Sequence, residues 1–127
     1  MSLIHVVAAR NALADALCNL LDAGVADANG DLVFMTAADV EVATLDLSNP
    51  AFGAAAAGVK TANAIADDPS ATGGTIAKFK FQDRDNGEVI QGSVTATAGG
   101  GDIELSSVVI AATDSVGVSS VSYAAPA

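Results

Sequence analysis

Apolar positions recur along the first part of the chain at a helical interval and then change period. Leu13, Leu17, Leu20 and Leu21 fall at i, i+4, i+7 and i+8, one stripe of a helix expected over residues 7–23. Asp15, Asn19 and Asp22 lie off that stripe, Cys18 flanks it as a small packing residue, and Gly24 supplies the stop. Beyond Gly24 the period becomes two. Leu32 to Met35 forms an apolar run after the turn Asp27–Asp31, and Val40 to Leu47 alternates with a change of phase midway. Such a phase change implies a bulge or a strand covered on both faces.

The clearest strand is 75–82, with Ala77, Phe79 and Phe81 on one side and Lys78, Lys80 and Gln82 on the other. Asp83-Arg84-Asp85-Asn86-Gly87 then reads as a hairpin turn whose Asn-Gly pair tolerates positive φ. Residues 88–97 return as its partner, with Ile90 and Val94 inward. Gly99-Gly100-Gly101 leads into a strand expected over 103–110, and a last one is expected over 116–123. The alanine run within 52–59 is flanked by Gly53 and Gly58 and is expected to be extended or looped, not helical. The pattern predicts one mainly β domain over 1–127. An N-terminal arm and α-helix (1–24) precede an antiparallel β-sandwich or barrel-like body (30–127).

Composition changes this picture in two ways. The chain is 51% hydrophobic, but much of that is alanine, with four Phe, one Tyr and no Trp. A core so short of large side chains is small, and stability drawn from partner subunits is expected. A homo-oligomer, dimer or trimer, is anticipated through the leucine stripe or an exposed strand edge. Charge is the second. Fifteen acids oppose five bases for a net −10, and no Lys or Arg follows Arg84. That leaves no cationic patch for nucleic acid or for an anionic membrane. The apolar run at Leu3–Ala9 is too short to span a bilayer and has no basic n-region before it, so neither a membrane segment nor a signal peptide is expected.

Candidate chemistry is sparse. His5 is the sole histidine, and no G-x-S-x-G nucleophile motif accompanies it. Cys18 is the sole cysteine, which excludes an internal disulfide and makes no zinc set with one histidine. Asp27, Asn29 and Asp31 around Gly30, and Asp83, Asp85 and Asn86 before Gly87, faintly resemble calcium loops. Both lack the distant bidentate Glu, and the same residue types build ordinary turns. The glycines at 99–101 precede Asp102-Ile103-Glu104, a strand opening with acids, where a phosphate cradle needs a helix. No catalytic residue, cofactor, metal or small-molecule substrate is assigned, and a non-enzymatic protein is expected.

Leu45-Asp46-Leu47-Ser48-Asn49-Pro50-Ala51-Phe52-Gly53, continued by Ala54–Val59 and Thr61–Ile65, resembles a family of small phage structural proteins with the pattern L-x-[LF]-S-[DN]-P-A-F-G. The hairpin Phe79–Val94, the segment Asp102–Leu105, the stretch Val116–Val121 and the helix Asn11–Ala23 match in order. Lys60 after Val59 and Asn86 before Gly87 depart from the pattern. The resemblance implies a virion component, foremost a head decoration (cement) protein. Such a protein would bridge the major capsid protein or other virion proteins on the capsid surface, after residence in the host cytoplasm before assembly. Other virion positions (tail, head–tail junction, fibre base) and a soluble ligand-binding β domain are the alternatives. Surface residues expected to serve contact are Leu13, Leu17, Leu20, Leu21, Phe52, Val59, Val121 and Tyr123.

Overall fold

The computed structural model describes residues 3–126; the ends of the expected 1–127 domain lie outside them. Among the described residues an α-helix, α1 (Val7–Asn19), closes in a 3-10 turn (Leu20–Asp22) and is followed by nine strands. These are β1 (Asp31–Met35), β2 (Glu41–Asp46), β3 (Val59–Thr61), β4 (Gly74–Thr75), β5 (Lys78–Gln82), β6 (Glu88–Ala96), β7 (Ile103–Leu105), β8 (Val109–Ile110) and β9 (Ser122–Ala124). The domain is mainly β with one N-terminal helix, as the change of period implies. One five-stranded sheet, ordered β2-β1-β5-β6-β7, carries the body, and β3–β9 and β4–β8 form two-stranded ribbons.

The sheet core follows from alternation. Leu32 lies between Leu45 and Phe81, and Phe34 between Ala43 and Phe79, so one face gathers six apolar side chains. All six are buried. Phe81 sits edge-on to both Phe79 and Phe52, with ring centroids 5.6 and 6.0 Å apart, a favoured aromatic geometry. On the other face Val33 is flanked by Thr44 and Lys80, and Met35 by Glu41 and Lys78. Both apolar residues are nonetheless buried. The phase change in 40–47 has its expected cause. The β1–β2 register shifts between Phe34 and Met35, which leaves Val42 and Ala43 buried in succession.

The β5–β6 hairpin turns at 83–87 with Asn86 at φ 63°. The alanine run is looped as expected, turning through Ala57 (φ 52°) and Gly58 (φ 77°), with Val59 bonded back to Ala56. Gly58 is needed there, because a Cβ would lie 2.8 Å from the Arg10 Nε.

Two expectations fail in the last third. The strand expected over 103–110 is two short strands in different sheets, and β7 pairs with β6 in parallel, Val94 opposite Ile103. Parallel neighbours normally need a long crossover. Here the chain doubles back within 97–102, through Ala98 at φ 68° and Gly100 at φ 82°. The strand expected over 116–123 is mostly irregular, tied at Val116 to Asp68 and regular only in β9. Small and polar side chains dominate 111–120, and they supply too little apolar surface to hold a continuous strand on the sheet.

Candidate interaction surface

The helix lies on the body on a face that takes in only the edge of its leucine stripe. Ala14, Cys18 and Leu21 are its buried residues, whereas Leu13 is 44% and Leu20 51% exposed and Leu17 is half-buried. What holds it in place is polar. The Asn11 Oδ1 accepts the Gly58 N–H at 2.7 Å, and the Asp22 Oδ1 accepts the Ala51 N–H at 2.9 Å. Lys60, almost wholly buried on β3, donates to the Asp15 Oδ1 at 2.8 Å.

The reason is the looped segment 51–60. Its backbone N–H groups and one buried ammonium need acceptors, and the helix's polar side provides them. α1 has no side-chain cap at Val6, no acid in its first turn and no base in its last, so these contacts and the small buried stripe fix it. Burial also pushes the Cys18 thiol up, though Lys60 opposes that rise.

The solvent side of α1 consequently presents Ala12, Leu13, Ala16 and Leu20 without a charge among them. It continues into the arm, where Leu3, Ile4 and Val6 are 71%, 87% and 71% exposed. Of the residues expected to serve contact, Leu13, Leu17 and Leu20 share this face. Leu21 and Phe52 do not serve it: both are core residues, Leu21 beneath the helix and Phe52 against Phe81. Val59 and Tyr123 lie half-buried in the β3–β9 ribbon and Val121 just before it, so the eight residues do not form one surface. Sequence reasoning passed over Ile4 and Val6, whose signal was an apolar run outside any periodic element.

A second feature is a cleft of about 620 Å³ between residues 102–107 and 115–122, lined by aliphatic side chains, serines and the acids Asp102 and Glu104, with no aromatic ring. A smaller cavity of about 140 Å³ lies on the other side of Val118–Val121.

The two Asp/Asn/Gly turns dock on each other. The Asp85 Oδ1 accepts the N–H groups of Val25 and Ala26, both at 2.9 Å, and these bonds hold its carboxyl below the usual range. The Asp83 Oδ1 accepts the N–H groups of Asp85 and Gly87, and the Arg84 Nε donates to the Asp27 carbonyl. Gly24, at φ 113°, leaves room for Asp85, which a Cβ would meet at 2.7 Å. These carboxylates are engaged in shaping backbone. Among the described residues no group of three or more His, Cys, Asp or Glu is placed to hold a metal ion.

Asp31 and Asp46 face each other across β1 and β2 at the edge of a pocket of about 280 Å³ shared with Asp27 and Asn29. Burial, then the hydrogen bond and like charge of Asp46, raise the Asp31 carboxyl to about 6. His5 is half-buried in the arm. Among the described residues no helix is long and apolar enough to cross a membrane. Comparison with protein-family models, curated proteins and solved structures finds no match to this chain.

Proposed function

We propose that this chain is a non-enzymatic structural subunit of a bacteriophage virion, seated on the outer surface of the head as a decoration protein that bridges capsid subunits. The observation that carries the reading is the rotation of the helix, which leaves Leu13 and Leu20 outward. Its polar side is consumed holding the 51–60 loop, and the outer part of its apolar side, Leu13 and Leu20, is left with the exposed arm for a neighbour. A protein that worked alone would gain by turning the leucines inward; one that works in a lattice needs them outward. The L-D-L-S-N-P-A-F-G motif resembles that of small phage structural proteins and supports the same role.

Charge favours the outer wall over the inner one. Packaged DNA is densely anionic, and each copy brings −10 with its five cations dispersed at Arg10, Lys60, Lys78, Lys80 and Arg84. Contact with DNA within the Debye length of about 8 Å would be repulsive. Outside the shell the acids face solvent, and binding only the assembled state stabilises it by linkage. The cleft argues less for a ligand module, because aliphatics and serines without an aromatic wall make a poor small-molecule pocket.

The test is addition of purified protein to undecorated heads of the phage that encodes it. Saturable binding in proportion to the capsomers, loss of binding by Leu13→Glu with Leu20→Glu, and heads that burst at lower temperature without the protein are the expected results. Density on the inner wall, or along the tail with none on the head, would overturn the placement.

A further inference from the structure

The outward side of α1 has a spacing of its own. Ala9, Leu13, Ala16 and Leu20 stand at i, i+4, i+7 and i+11, and Val6, the residue before the helix, continues the stripe at i−3. Alternating steps of three and four residues are the heptad pattern by which one helix packs along another. This stripe is distinct from the one that meets the body, where Ala14, Cys18 and Leu21 are buried. Val6, Leu13, Ala16 and Leu20 are exposed and Ala9 is half-buried. Size alternates as well. Val6, Leu13 and Leu20 recur every seven residues, and the positions between them, Ala9 and Ala16, are small.

These features define the partner. A heptad stripe is met by a helix, and α1 is the one α-helix among the described residues. In a parallel pair the seam sets leucine against leucine and alanine against alanine, which crowds one level and leaves a void at the next. In an antiparallel pair Leu13 comes opposite Ala16 of the second copy, and Leu20 opposite its Ala9. Every level then holds one large and one small side chain, the self-complementarity that a twofold interface requires. No charge lies on the stripe, and Asp15, the acid of α1, is tied to Lys60 of the body.

The available area agrees. An aliphatic side chain removes on the order of 100 Å² from water when buried. Weighted by exposure, Leu3, Ile4, Val6, Leu13 and Leu20 with the intervening alanines offer roughly 500 Å² per copy. Two copies cover about 1,000 Å², the size at which specific interfaces begin. Two heptads are too short to pair as free peptides. Here Asn11, Asp15 and Asp22 already hold each helix to its body, so little freedom is lost on pairing.

We propose that the α1 helices of two copies pair antiparallel about a twofold axis through this stripe, leucine against alanine. The pair uses the face that the virion reading leaves for a neighbour and rests on that reading of the face, naming the neighbour as a second copy.

Sedimentation of the full chain from about 1 µM to 0.1 mM reads the dimer in the absence of heads. The wild type is expected to reach a dimer and nothing larger. Ala16→Leu adds apolar surface yet should weaken the dimer about tenfold or more, because it overfills the level shared with Leu13; Leu13→Ala should weaken it through a void. The swap Leu13→Ala with Ala16→Leu should restore it, since each level again holds one large and one small side chain. Both positions are exposed, so far-ultraviolet dichroism should not change. Mixed Ala9→Cys and Leu20→Cys chains under mild oxidation should link to each other and neither to itself, because like positions lie about 16 Å apart along the axis. Cys18 is buried and does not compete. A wild type still monomeric at the highest concentration overturns the proposal. So does an Ala16→Leu chain that associates more tightly, or cysteine variants that each link to themselves, as parallel helices would. A monomer that binds heads through Leu13 and Leu20 ends this inference alone; a dimer that binds no heads ends the virion reading alone.

Discussion

Replacing Asp31 by Asn should stabilise the protein at neutral and higher pH and do little in acid. Asp31 and Asp46 are cross-strand neighbours, and the Asp31 carboxyl is raised from 3.8 to about 6 by burial and by its partner. A raised carboxyl favours the folded state fully while it is protonated in both states, below 3.8. That benefit is lost as pH rises through about 6, where the folded protein must ionise Asp31 beside Asp46. In a dry site a rise of about two units would be worth about 3 kcal/mol. Asp31 keeps contact with water, and screening brings the effect to on the order of 1 kcal/mol. For a domain of this size that is about 4 °C in Tm. Thermal melts of wild type and Asp31→Asn from pH 3.5 to 8 should therefore coincide at the acid end and separate through pH 4–6, the variant higher. Asp46→Asn should give only part of that gain, because burial, the larger cause, still opposes the Asp31 charge, and the double variant little more than Asp31→Asn alone. A Tm difference that is constant across pH, or a variant less stable at pH 8, would refute the reasoning.

The helix orientation makes an uneven set of costs: Leu21→Ala should lose about 2–5 kcal/mol in denaturant melts, Leu13→Ala and Leu20→Ala under about 1. Equal losses at the three positions would contradict that packing. Asp15→Ala strands the buried Lys60 ammonium and should cost about 1–3 kcal/mol, whereas Lys60→Met should cost less; a double-mutant cycle on the two measures their coupling. Asp85→Ala should lower Tm at pH 7, and because the Asp85 carboxyl is held low, the loss should persist down to about pH 4 and fade below it. If Asp83 and Asp85 serve only the turns, chelator leaves the wild-type melt unchanged; a clear rise in Tm with calcium would count against that.

The parts of the fold legible in the sequence are those where strict alternation meets a recognisable turn. Phe79 and Phe81 against Lys78 and Lys80 located β5, Asn86-Gly87 located its hairpin, and the phase change in 40–47 located the bulge. The helix was legible as a helix but not as to face. Apolar residues surround most of α1, so two stripes satisfy the same period, and the buried one is made of Ala14 and Cys18, which carry little hydrophobic weight. Nothing local revealed that Asn11, Asp15 and Asp22 would answer donors in a loop 29 to 47 residues away. The parallel sense of β7 was hidden because alternation is the same in either direction, and the serine-rich 111–120 has no period to read. The interaction surface was accordingly only half visible: three of the leucines but not Ile4, Val6 or the cleft.

The ribbon joining β3 to β9 has a consequence for the order in which the chain can fold. The 51–60 segment that receives the helix is completed by Ser122–Ala124 and by the bond from the Ala125 N–H to the Gly58 carbonyl. Ribosomal synthesis delivers those residues more than a hundred positions after α1. The β1–β2 and β5–β6 hairpins pair locally and can form while the chain is still growing, but the seat of the first helix cannot be finished until its last strand emerges. The nascent protein thus carries α1 with an unfinished seat through the synthesis of every residue between it and β9. Folding should be limited by that long-range closure, and truncation within β9 should first release the helix at the opposite end of the sequence.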